Sequence, residues 1–308
     1  MADPLSFSNP AVNPVALGTW ALGGGNDWGE TSEIDAQDAL CAALDNGINL
    51  IDTAPIYGAG LSEERIGRAL KSRRSKVLLA TKCGISLKGG RPDHDLRPES
   101  IVTECEHSLR RLQTDYIDLY QIHWPDSKVP LEDSLGAMLR LQEQGKIRAI
   151  GVCNFSQEQI KQAAETAPIV SVQGPFSLLR DNKKLAEFCA ARGLAFWTYG
   201  VLGGGILSGK YTQMPNLRRC DARRYFYPYY FGENFTKATQ TVMRVRQIAQ
   251  KYQVSLAAIA LASVLQVPGV SGVLAGARSA AQVKENLGAL QIKLAAQEQE
   301  FLWSQLTK

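Results

Sequence analysis

IDLYQIHWPDSKVPLEDSLGAMLRLQEQGKIRAIGV, residues 117–152, is the stretch of sequence that decides the fold. It opens on the apolar, β-rich run Ile117 to Gln121 and ends on a second such run, Ala149 to Val152. Between them, Leu131 to Gln144 has helical periodicity and is followed by Gly145, a residue suited to a left-handed helix cap. A strand, a helix and a strand in this order predict two parallel strands joined by a right-handed crossover.

The same alternation of short apolar runs and longer amphipathic runs continues along most of the chain. About eight such units predict an α/β protein, a (β/α)8 TIM barrel forming a single domain over residues 1–308. A doubly wound open sheet is the alternative. The other predicted strands are Val15 to Thr19, Asn49 to Thr53, Val77 to Thr81, Ile169 to Gln173, Ala195 to Thr198 and Gly272 to Leu274. The other predicted helices are Asp35 to Asn46, Ser62 to Lys71, Pro98 to Leu112, Gln157 to Thr166, Lys183 to Arg192, Lys237 to Tyr252 and Ala280 to Leu290.

Glycines help to separate the two architectures. No Gly-x-Gly-x-x-Gly fingerprint follows the first strand, and 23–25 is a glycine triplet in a loop without the acidic residue that a dinucleotide-binding open sheet requires. Gly47 and Gly193, like Gly145, follow helical runs and predict helix ends. In a barrel, the functional site must lie at the carboxyl ends of the strands, where the loops to the helices begin.

Composition and charge are those of a globular protein that can bury a large core. Of the 308 residues, 45% are hydrophobic and 21% are charged, and the formal net charge is +4. Basic and acidic residues are interleaved, so we expect no nucleic-acid partner. No run of about 18 uncharged apolar residues occurs, and the start Met-Ala-Asp-Pro lacks a charged segment followed by an apolar run. We therefore expect a soluble, cytoplasmic protein that binds no membrane.

Cysteine and histidine spacing predicts no metal site. The six cysteines occur singly, without a Cys-x-x-Cys pair, and no histidine spacing suits zinc. We expect free thiols in a reducing compartment. His94 is expected in a surface loop, Lys88 to Arg97, and His107 on the surface of a helix. The cysteines are Cys41, Cys83, Cys105, Cys153, Cys189 and Cys220.

Four polar residues lie at the predicted mouth of the barrel. Asp52 and Tyr57 follow the second strand, Lys82 ends the third, and His123 ends the fourth. Each alone has an ordinary explanation, such as a turn cap or a core histidine. Together they can transfer a proton, because a phenol with a pKa of about 10 needs a nearby cation that stabilises the phenolate. Lys82 supplies that charge, Asp52 holds the ammonium, and we expect the pair to lower the pKa of Tyr57. His123 would hydrogen-bond the oxygen that gains charge as hydride arrives, so the set suits carbonyl reduction.

Longer motifs surround these residues and point to one family. They are LIDTAPIYG (50–58), LATK (79–82), YIDLYQIH (116–123), GVCNF (151–155), GGGILSGK (203–210), and GARS (276–279) followed by ENL (285–287). With these motifs the chain resembles, nearly from end to end, the aldo-keto reductase family in its bacterial-type, NADP-dependent form. Members of this family are barrel enzymes that use nicotinamide cofactors.

The resemblance implies an activity and a set of catalytic residues. The reaction would be the reversible, NAD(P)H-dependent reduction of aldehydes or ketones to alcohols, with Tyr57 as proton donor. Asn154 and Gln173 would bind the nicotinamide carboxamide and Tyr199 would stack on the ring, because a carboxamide needs paired donors and acceptors and a flat ring needs an aromatic face. Cys153 stands where the family often has Ser. The implied catalytic tetrad is Asp52, Tyr57, Lys82 and His123.

The ends of the first, seventh and eighth strands complete the predicted cofactor site. Tyr199 to Lys210 form a glycine-rich loop whose bare N–H groups can approach a pyrophosphate. Residues 276–279 precede a helix, so a phosphate there would meet free N–H groups and the positive helix end. Further predicted cofactor-binding residues are Gly18, Thr19, Trp20, Asp52, Cys153, Gly200, Leu202, Gly204, Ser208, Gly276, Arg278, Gln282, Glu285 and Asn286.

Two residues near the eighth strand bear on the choice of cofactor. Arg278 adds positive charge at the helix start, whereas Gln282 occupies the position where many family members have an Arg on the 2′-phosphate. We expect NADP (NADPH), with NAD possible.

The predicted substrate side is aromatic. Trp20 ends the first strand and Trp124 follows His123, so both could wall the mouth beside Tyr57 and bind an apolar or aromatic carbonyl. Trp28 could do the same or pack the rim. The irregular segment at about 211–235 is rich in Arg, Tyr and Phe and is predicted to be a lid.

Two other functions remain as alternatives. The first is a cofactor-sensing regulatory subunit with little turnover, because the family includes channel-associated members; the lack of a long extra N-terminal segment argues against it. The second is a metal-dependent barrel hydrolase, for which the strand ends offer too few His and carboxylate ligands. The expected partner is a small-molecule carbonyl substrate, and the oligomeric state is left open.

Overall fold

Eight parallel strands close into a barrel in the computed structural model of the protein, which describes residues 12–89 and 91–304. They are β1 (Val15–Gly18), β2 (Leu50–Asp52), β3 (Leu78–Cys83), β6 (Ile117–Ile122), β7 (Ile147–Cys153), β8 (Ile169–Pro175), β9 (Ala195–Tyr199) and β10 (Gly272–Gly276). β1 pairs with both β2 and β10, which closes the sheet. The predicted (β/α)8 barrel is confirmed, and the doubly wound open sheet is excluded.

Helices surround the barrel. Gly47, Gly145 and Gly193 have φ values of 81°, 72° and 66°, which confirms the predicted left-handed ends of the three helices before them. The helices are α1 (Gly25–Trp28), α2 (Glu33–Asp45), α3 (Leu61–Leu70), α4 (Pro98–Leu112), α5 (Leu131–Glu143), α6 (Gln157–Thr166), α7 (Lys183–Ala190), α8 (Arg223–Phe226), α9 (Gly232–Tyr252), α10 (Leu256–Leu265), α11 (Ala280–Leu287) and α12 (Ala296–Trp303).

The barrel interior changes from apolar to polar towards the carboxyl ends of the strands. Its apolar part is a buried cluster that includes Leu50, Ala80 and Leu119. Because side chains on one face of a strand are two residues apart, the next inward positions are Asp52, Lys82 and Gln121, all of them buried. A polar layer therefore lies directly on the apolar one, at the edge where the loops to the helices begin.

Several elements differ from the sequence predictions. The segment 85–94 is an antiparallel hairpin, β4 (Ile85–Lys88) and β5 (Arg91–His94), so His94 ends a strand and does not lie in a loop, although it is exposed as predicted. α10 was missed because it is apolar on every side and nearly all of it is buried, which removes the amphipathic period. α12 was also missed.

The predicted lid is shorter and more ordered than expected. It contains α8 and a short 3-10 turn at Pro228–Tyr230, and α9 begins at Gly232, so the prediction of an irregular segment to residue 235 was wrong. Glu233 lies in the first turn of α9, where a negative charge stabilises the start of a helix. We call residues 211–231 the lid segment.

Two expectations concern the termini and the membrane. The start Met-Ala-Asp-Pro lies outside the described residues. Within residues 12–89 and 91–304, no single helix is long and apolar enough to cross a membrane, and α9 and α10 reach that length and composition only as a pair bent by 98°. All six cysteines are free, and four of them are buried.

Glu104 of α4 is a largely buried carboxyl group at the base of the hairpin. Both of its oxygens accept the Gly84 N–H, at 3.2 Å each. Burial raises the pKa of Glu104 to about 7; the Gly84 N–H opposes this shift, and the negative charge of Asp95 adds to it. The folded protein therefore holds a proton here that the unfolded chain gives up near its ordinary carboxyl pKa.

This proton makes stability depend on pH. The pKa of Glu104 is higher in the folded protein than in the unfolded chain. The contribution of Glu104 to the free energy of unfolding is therefore present at low pH and is lost as pH rises through about 7. We expect Glu104→Gln to be more stable than the wild type at pH 8, by about 2 kcal/mol, and nearly equal to it at pH 5. Urea unfolding at both values measures this. Glu99→Gln, which removes an exposed charge from the same helix, is the control, and a difference for Glu104→Gln that is independent of pH would contradict the expectation.

Candidate active site

The four residues of the predicted tetrad meet at one end of the barrel. Asp52 ends β2, Lys82 lies one residue before the end of β3, and His123 directly follows β6. Tyr57 lies in a 3-10 turn, Tyr57–Gly60, after β2. Its ring is edge-on to the His123 ring, with the centroids 6.0 Å apart. Because all the barrel strands are parallel, their carboxyl ends share this edge, and the predicted convergence is observed.

A buried ion pair lies at the centre of the site. Lys82 Nζ donates to Asp52 Oδ1 at 2.6 Å and to the Thr53 carbonyl oxygen at 2.9 Å, and it is 3.4 Å from the Tyr57 hydroxyl oxygen. The side chain of Lys82 is 0% exposed. A buried ammonium is tolerated when its donors are satisfied, and here three oxygens surround it. Tyr57 is thus one of the three groups that hold the cation.

The second oxygen of Asp52 is also fully occupied. Gln173 Nε2 donates to Oδ2 at 2.9 Å and Gln121 Nε2 donates to it at 3.2 Å. Hydrogen bonds to a charged acceptor are roughly twice as strong as those between neutral groups. The Asp52 carboxylate is therefore held in one orientation between Lys82 and two amides.

Burial sets the protonation states in the site. It raises the pKa of Tyr57 to about 12, which the Lys82 charge opposes and the Asp52 charge supports. The expectation that the pair lowers this pKa was therefore wrong, because only Lys82 lowers it and burial outweighs Lys82. Burial alone would lower the pKa of Lys82, but the charge of Asp52 raises it above its ordinary range. For His123, burial and the Lys82 charge put the pKa well below its ordinary value. At neutral pH the site holds a phenol, an ammonium and a neutral imidazole.

Glycines fix the turn that carries Tyr57. Gly58 has φ 61° and approaches Gly23 so closely that a Cβ on Gly58 would lie 2.2 Å from the Gly23 carbonyl oxygen. Arg65 also binds the loop after β1: its guanidinium donates to the Leu22 carbonyl oxygen and, at 2.8 Å, to the Thr31 carbonyl oxygen. The loop after β1 and the turn after β2 are thus packed backbone against backbone.

The predicted carboxamide-binding residues lie next to the tetrad. Asn154 donates from Nδ2 to the His123 carbonyl oxygen at 2.9 Å, and its Oδ1 accepts the Tyr199 hydroxyl at 2.7 Å. Gln173 lies against Asp52, as described above. Cys153 is fully buried and its Sγ lies 3.6 Å from Gln121 Oε1, so its side chain points into the barrel. The structure thus brings Asn154, Gln173 and Tyr199 to one place, with Cys153 behind them.

The glycine-rich loop after β9 is covered by the lid segment. Gly200, Gly203, Gly204 and Gly205 all have positive φ, which L side chains rarely adopt. Tyr230 donates to the carbonyl oxygens of Gly203 and Gly204. Of the other predicted contacts here, Leu202 packs on the core, Ser208 donates to the Gly205 carbonyl oxygen at 2.8 Å, and the Lys210 ammonium lies 4.9 Å from the Tyr211 ring centroid.

The start of α11 is capped by neutral side chains. Ser279 accepts the Gln282 N–H at 3.3 Å, and Gln282 Oε1 accepts the Arg278 N–H at 2.8 Å. The Arg278 guanidinium reaches the neighbouring loop after β1 and donates to the Trp28 carbonyl oxygen at 3.3 Å. Asn286 is buried and donates to the Gly276 carbonyl oxygen, whereas Glu285 is exposed. At the helix end predicted to meet a phosphate, the backbone N–H of Arg278 is thus already bound by the Gln282 side chain.

Residues at the end of β1 have mixed roles. Thr19 is fully buried; its hydroxyl donates to the Asp52 carbonyl oxygen at 2.8 Å and accepts the Ser62 hydroxyl of α3 at 2.9 Å, so its side chain faces α3. Gly18 pairs with Gly276 and Asp52 in the barrel. Trp20 stacks on the Tyr57 ring at a centroid distance of 5.7 Å.

Aromatic rings form one wall of the mouth. Trp20 is edge-on to Trp28 at 5.3 Å and to Phe226 of the lid segment at 5.1 Å. Tyr227 of the lid segment lies 6.4 Å from Trp28. Trp124 is half-buried beside His123. The lid segment therefore contributes two rings to the wall that the sequence predicts from tryptophans alone.

Comparison with known proteins decides the family, since the model of the Aldo/keto reductase family matches residues 14–302. The chain belongs to this family. Aldo-keto reductase YhdN of Bacillus subtilis is 40% identical over 275 residues, 88% of this chain and 82% of the relative. The NADH-specific methylglyoxal reductase of Escherichia coli is 33% identical over 312 residues, 94% of either chain. The structure of glycerol dehydrogenase AKR11B4 from Gluconobacter oxydans has a TM-score of 0.87 and 37% identity, covering 96% of this chain and 92% of that one.

As an aldo-keto reductase, the chain is an oxidoreductase that reduces carbonyl groups with a nicotinamide cofactor, NADH or NADPH. The alternative of a regulatory subunit is not supported, because these relatives are a reductase or dehydrogenase by name. The metal-dependent hydrolase does not fit the family either. In the described part of the chain, no group of three or more His, Cys, Asp or Glu side chains is arranged to hold a metal ion.

Three contributors to the reductase site were missed from the sequence. Gln121 could have been found, because a polar side chain interrupts the apolar run of β6 at an inward position. Asp27 accepts the Trp20 indole N–H at 3.0 Å, and Phe226 packs on the same tryptophan. No local pattern signals these last two contacts, since the first depends on how the loop after β1 folds back on Trp20 and the second on how the lid segment crosses the mouth.

The close approach of Gly58 to Gly23 gives a test of how Tyr57 is placed. Gly58→Ala adds a Cβ that collides with the Gly23 carbonyl, in addition to the conformational penalty of about 1 kcal/mol at positive φ. We expect roughly a tenfold or greater loss of kcat together with a lowered Tm. Gly25→Ala is the matched control, because Gly25 has φ 69° but no atom within 4 Å of the added Cβ. Equal effects of the two substitutions on steady-state kinetics and melting would refute the role of the contact.

Proposed function

We propose that the chain reduces small aldehydes and ketones with Tyr57 as proton donor, using NADPH in preference to NADH. One observation carries the proposal: Lys82 Nζ lies between Asp52 Oδ1 at 2.6 Å and the Tyr57 hydroxyl at 3.4 Å. A phenol in contact with a buried ammonium can release its proton to a substrate oxygen, because the cation stabilises the phenolate left behind.

The chain's own residues account for the proton. Tyr57 is protonated at neutral pH, since its pKa of about 12 lies far above it, and it therefore begins the reduction in the form that donates. The proton passes to the carbonyl oxygen as that oxygen becomes an alkoxide. Lys82 then neutralises the phenolate, and Asp52 keeps Lys82 charged and in place.

His123 positions the carbonyl in this proposal. Its imidazole is neutral at neutral pH, so it acts as a hydrogen-bond donor to the developing negative charge and not as the source of the proton. Trp20 and Trp124 would flank the substrate and limit the access of water to it. The aromatic wall favours an apolar side on the substrate.

The residues at the mouth fit a nicotinamide dinucleotide. Asn154 and Gln173 present amides beside the tetrad, Tyr199 offers a ring, and the loop after β9 has glycines whose backbone a phosphate can approach. When bound, the cofactor supplies the hydride. Cofactor contacts are also proposed for Gly18, Trp20, Leu202, Ser208, Lys210, Gly276, Asn286 and Glu285; Thr19 and Cys153 would take part through their neighbours.

The preference for NADPH rests on Arg278. Arg278 directly precedes Ser279, the cap of α11, and its guanidinium donates to the Trp28 carbonyl oxygen at 3.3 Å. From there it would meet a 2′-phosphate bound near the positive end of that helix. Gln282 carries no charge and caps the Arg278 N–H, so NADH should bind as well. The relative in Escherichia coli is NADH-specific by name, which is consistent with a preference that varies between members.

The names of two relatives suggest the substrate range. They act on methylglyoxal and glycerol, which are small oxygen-rich molecules. We propose a small carbonyl compound as the substrate. The free cysteines suit a reducing compartment, and we propose a cytoplasmic location without a nucleic-acid or membrane partner.

Removing the hydroxyl of Tyr57 tests the proton donor. Tyr57→Phe should lower kcat with methylglyoxal by roughly 10²- to 10⁴-fold, the usual contribution of a general acid. NADPH affinity, followed by fluorescence titration, should change little. Tyr116→Phe is the control: it makes the same chemical change directly before β6, at the end of that strand away from His123, and should leave activity unaltered. Wild-type turnover by Tyr57→Phe with several aldehydes would rule out the assignment.

Removing the charge of Arg278 tests the cofactor preference. Arg278→Ala should weaken NADPH binding by roughly tenfold and NADH binding by less than about twofold, because only NADPH carries the 2′-phosphate. Lys284→Ala, which removes an exposed cation from the other end of α11, is the control. Fluorescence titration with both cofactors measures the effect, and equal weakening of both would contradict a contact with the phosphate.

A further inference from the structure

Gln121 belongs to neither the tetrad nor the predicted cofactor site, yet it lies in the polar layer of the barrel. It is fully buried in β6, and its register partner on β3 is Lys82. Its amide nitrogen donates to Asp52 Oδ2 at 3.2 Å. Burying an amide is unfavourable unless it is hydrogen-bonded, and Gln121 makes that bond to a charged acceptor.

Two neighbours fix the orientation of the Gln121 side chain. Gly151 is its register partner on β7, and a Cβ there would lie 3.1 Å from Gln121 Cγ, so the glycine leaves the room that the side chain fills. The Cys153 thiol lies 3.6 Å from Gln121 Oε1 and can donate to it. With Oε1 accepting from Cys153, Nε2 must face Asp52.

Gln173 donates to the same oxygen of Asp52, at 2.9 Å, but its situation differs. Gln173 is also a proposed ligand of the nicotinamide carboxamide, and an amide that turns towards the cofactor can leave Asp52. Gln121 lies deeper in the barrel and has no second task. Gln121 would therefore keep its hydrogen bond to Asp52 with a cofactor bound.

We propose that Gln121 is a positioning residue for proton transfer: it holds the Asp52 carboxylate so that Oδ1 faces Lys82 and the ammonium remains within reach of Tyr57. The inference rests on the proposed function of Tyr57. Lys82 is shared unequally, at 2.6 Å from Asp52 Oδ1 and 3.4 Å from the Tyr57 hydroxyl. A carboxylate freed from Gln121 can rotate and attract Lys82 more strongly, which draws the cation away from the phenol.

The first test removes the amide and keeps the length of the side chain. In Gln121→Met, the single-turnover rate of methylglyoxal reduction at saturating NADPH should fall by roughly tenfold. The KM for methylglyoxal and the Kd for NADPH should stay within about twofold, because Gln121 contacts neither. Leu119→Met, a volume-conserving change at the preceding inward position of β6, controls for repacking and should leave all three quantities near wild type.

The second test restores a donor only at low pH and also serves if Gln121→Met does not fold. In Gln121→Glu, the introduced carboxyl group is buried beside Asp52, so its pKa is raised. Below that pKa its O–H can donate to Asp52 and the rate should approach wild type. Above it, a second negative charge faces Asp52 and the rate should fall, which adds a limb to the pH profile that the wild type lacks.

The outcomes separate the inference from the proposed function. Rates within about twofold of wild type in Gln121→Met, together with a wild-type pH profile in Gln121→Glu, would overturn the role of Gln121. Tyr57→Phe is measured in parallel. If Tyr57→Phe is inactive while both Gln121 variants behave like the wild type, the proton donor stands and only the positioning role fails. If Tyr57→Phe remains active, the proposed function itself fails.

Discussion

The buried ion pair between Lys82 and Asp52 is the interaction on which the rest of the site depends. Removing an ammonium and a carboxylate from water is unfavourable by several kcal/mol per ion unless every remaining donor and acceptor is satisfied. Here the partners are the Thr53 carbonyl oxygen, Gln121 and Gln173. They come from β2, β6 and β8, or directly follow them. The ion pair is therefore stable because the barrel is closed and brings these strands to one edge.

The same burial explains why two neutral groups stand beside one cation. Desolvation raises the pKa of Tyr57 to about 12 and lowers that of His123. The Lys82 charge reinforces the neutrality of His123 and moderates the shift of Tyr57. One fixed positive charge thus keeps the imidazole from taking a proton and makes the phenolate less unfavourable, a division of roles that suits an acid and an orienting donor.

Most of the fold and the tetrad were predictable, because both follow local patterns. Parallel βα units have a period that the sequence shows directly, and the positions at the carboxyl ends of strands β2, β3 and β6 converge by topology. The all-apolar α10 and the β4–β5 hairpin were not predictable, since neither has an amphipathic period or a standard turn. Gln121 was missed because its function appears only across strands, and Phe226 because its contact with Trp20 depends on a long connection crossing the mouth.

The lid segment joins two surfaces that are distant in sequence. Tyr230 binds the glycine-rich loop, while Phe226 packs on Trp20 and the Ala222 N–H bonds to the Asp27 carbonyl oxygen at 2.8 Å. One connection therefore shapes both the half of the mouth proposed for cofactor and the half proposed for substrate. Exchange of this segment between relatives would therefore alter both halves together, so a new substrate wall would arrive with a new cover for the glycine-rich loop.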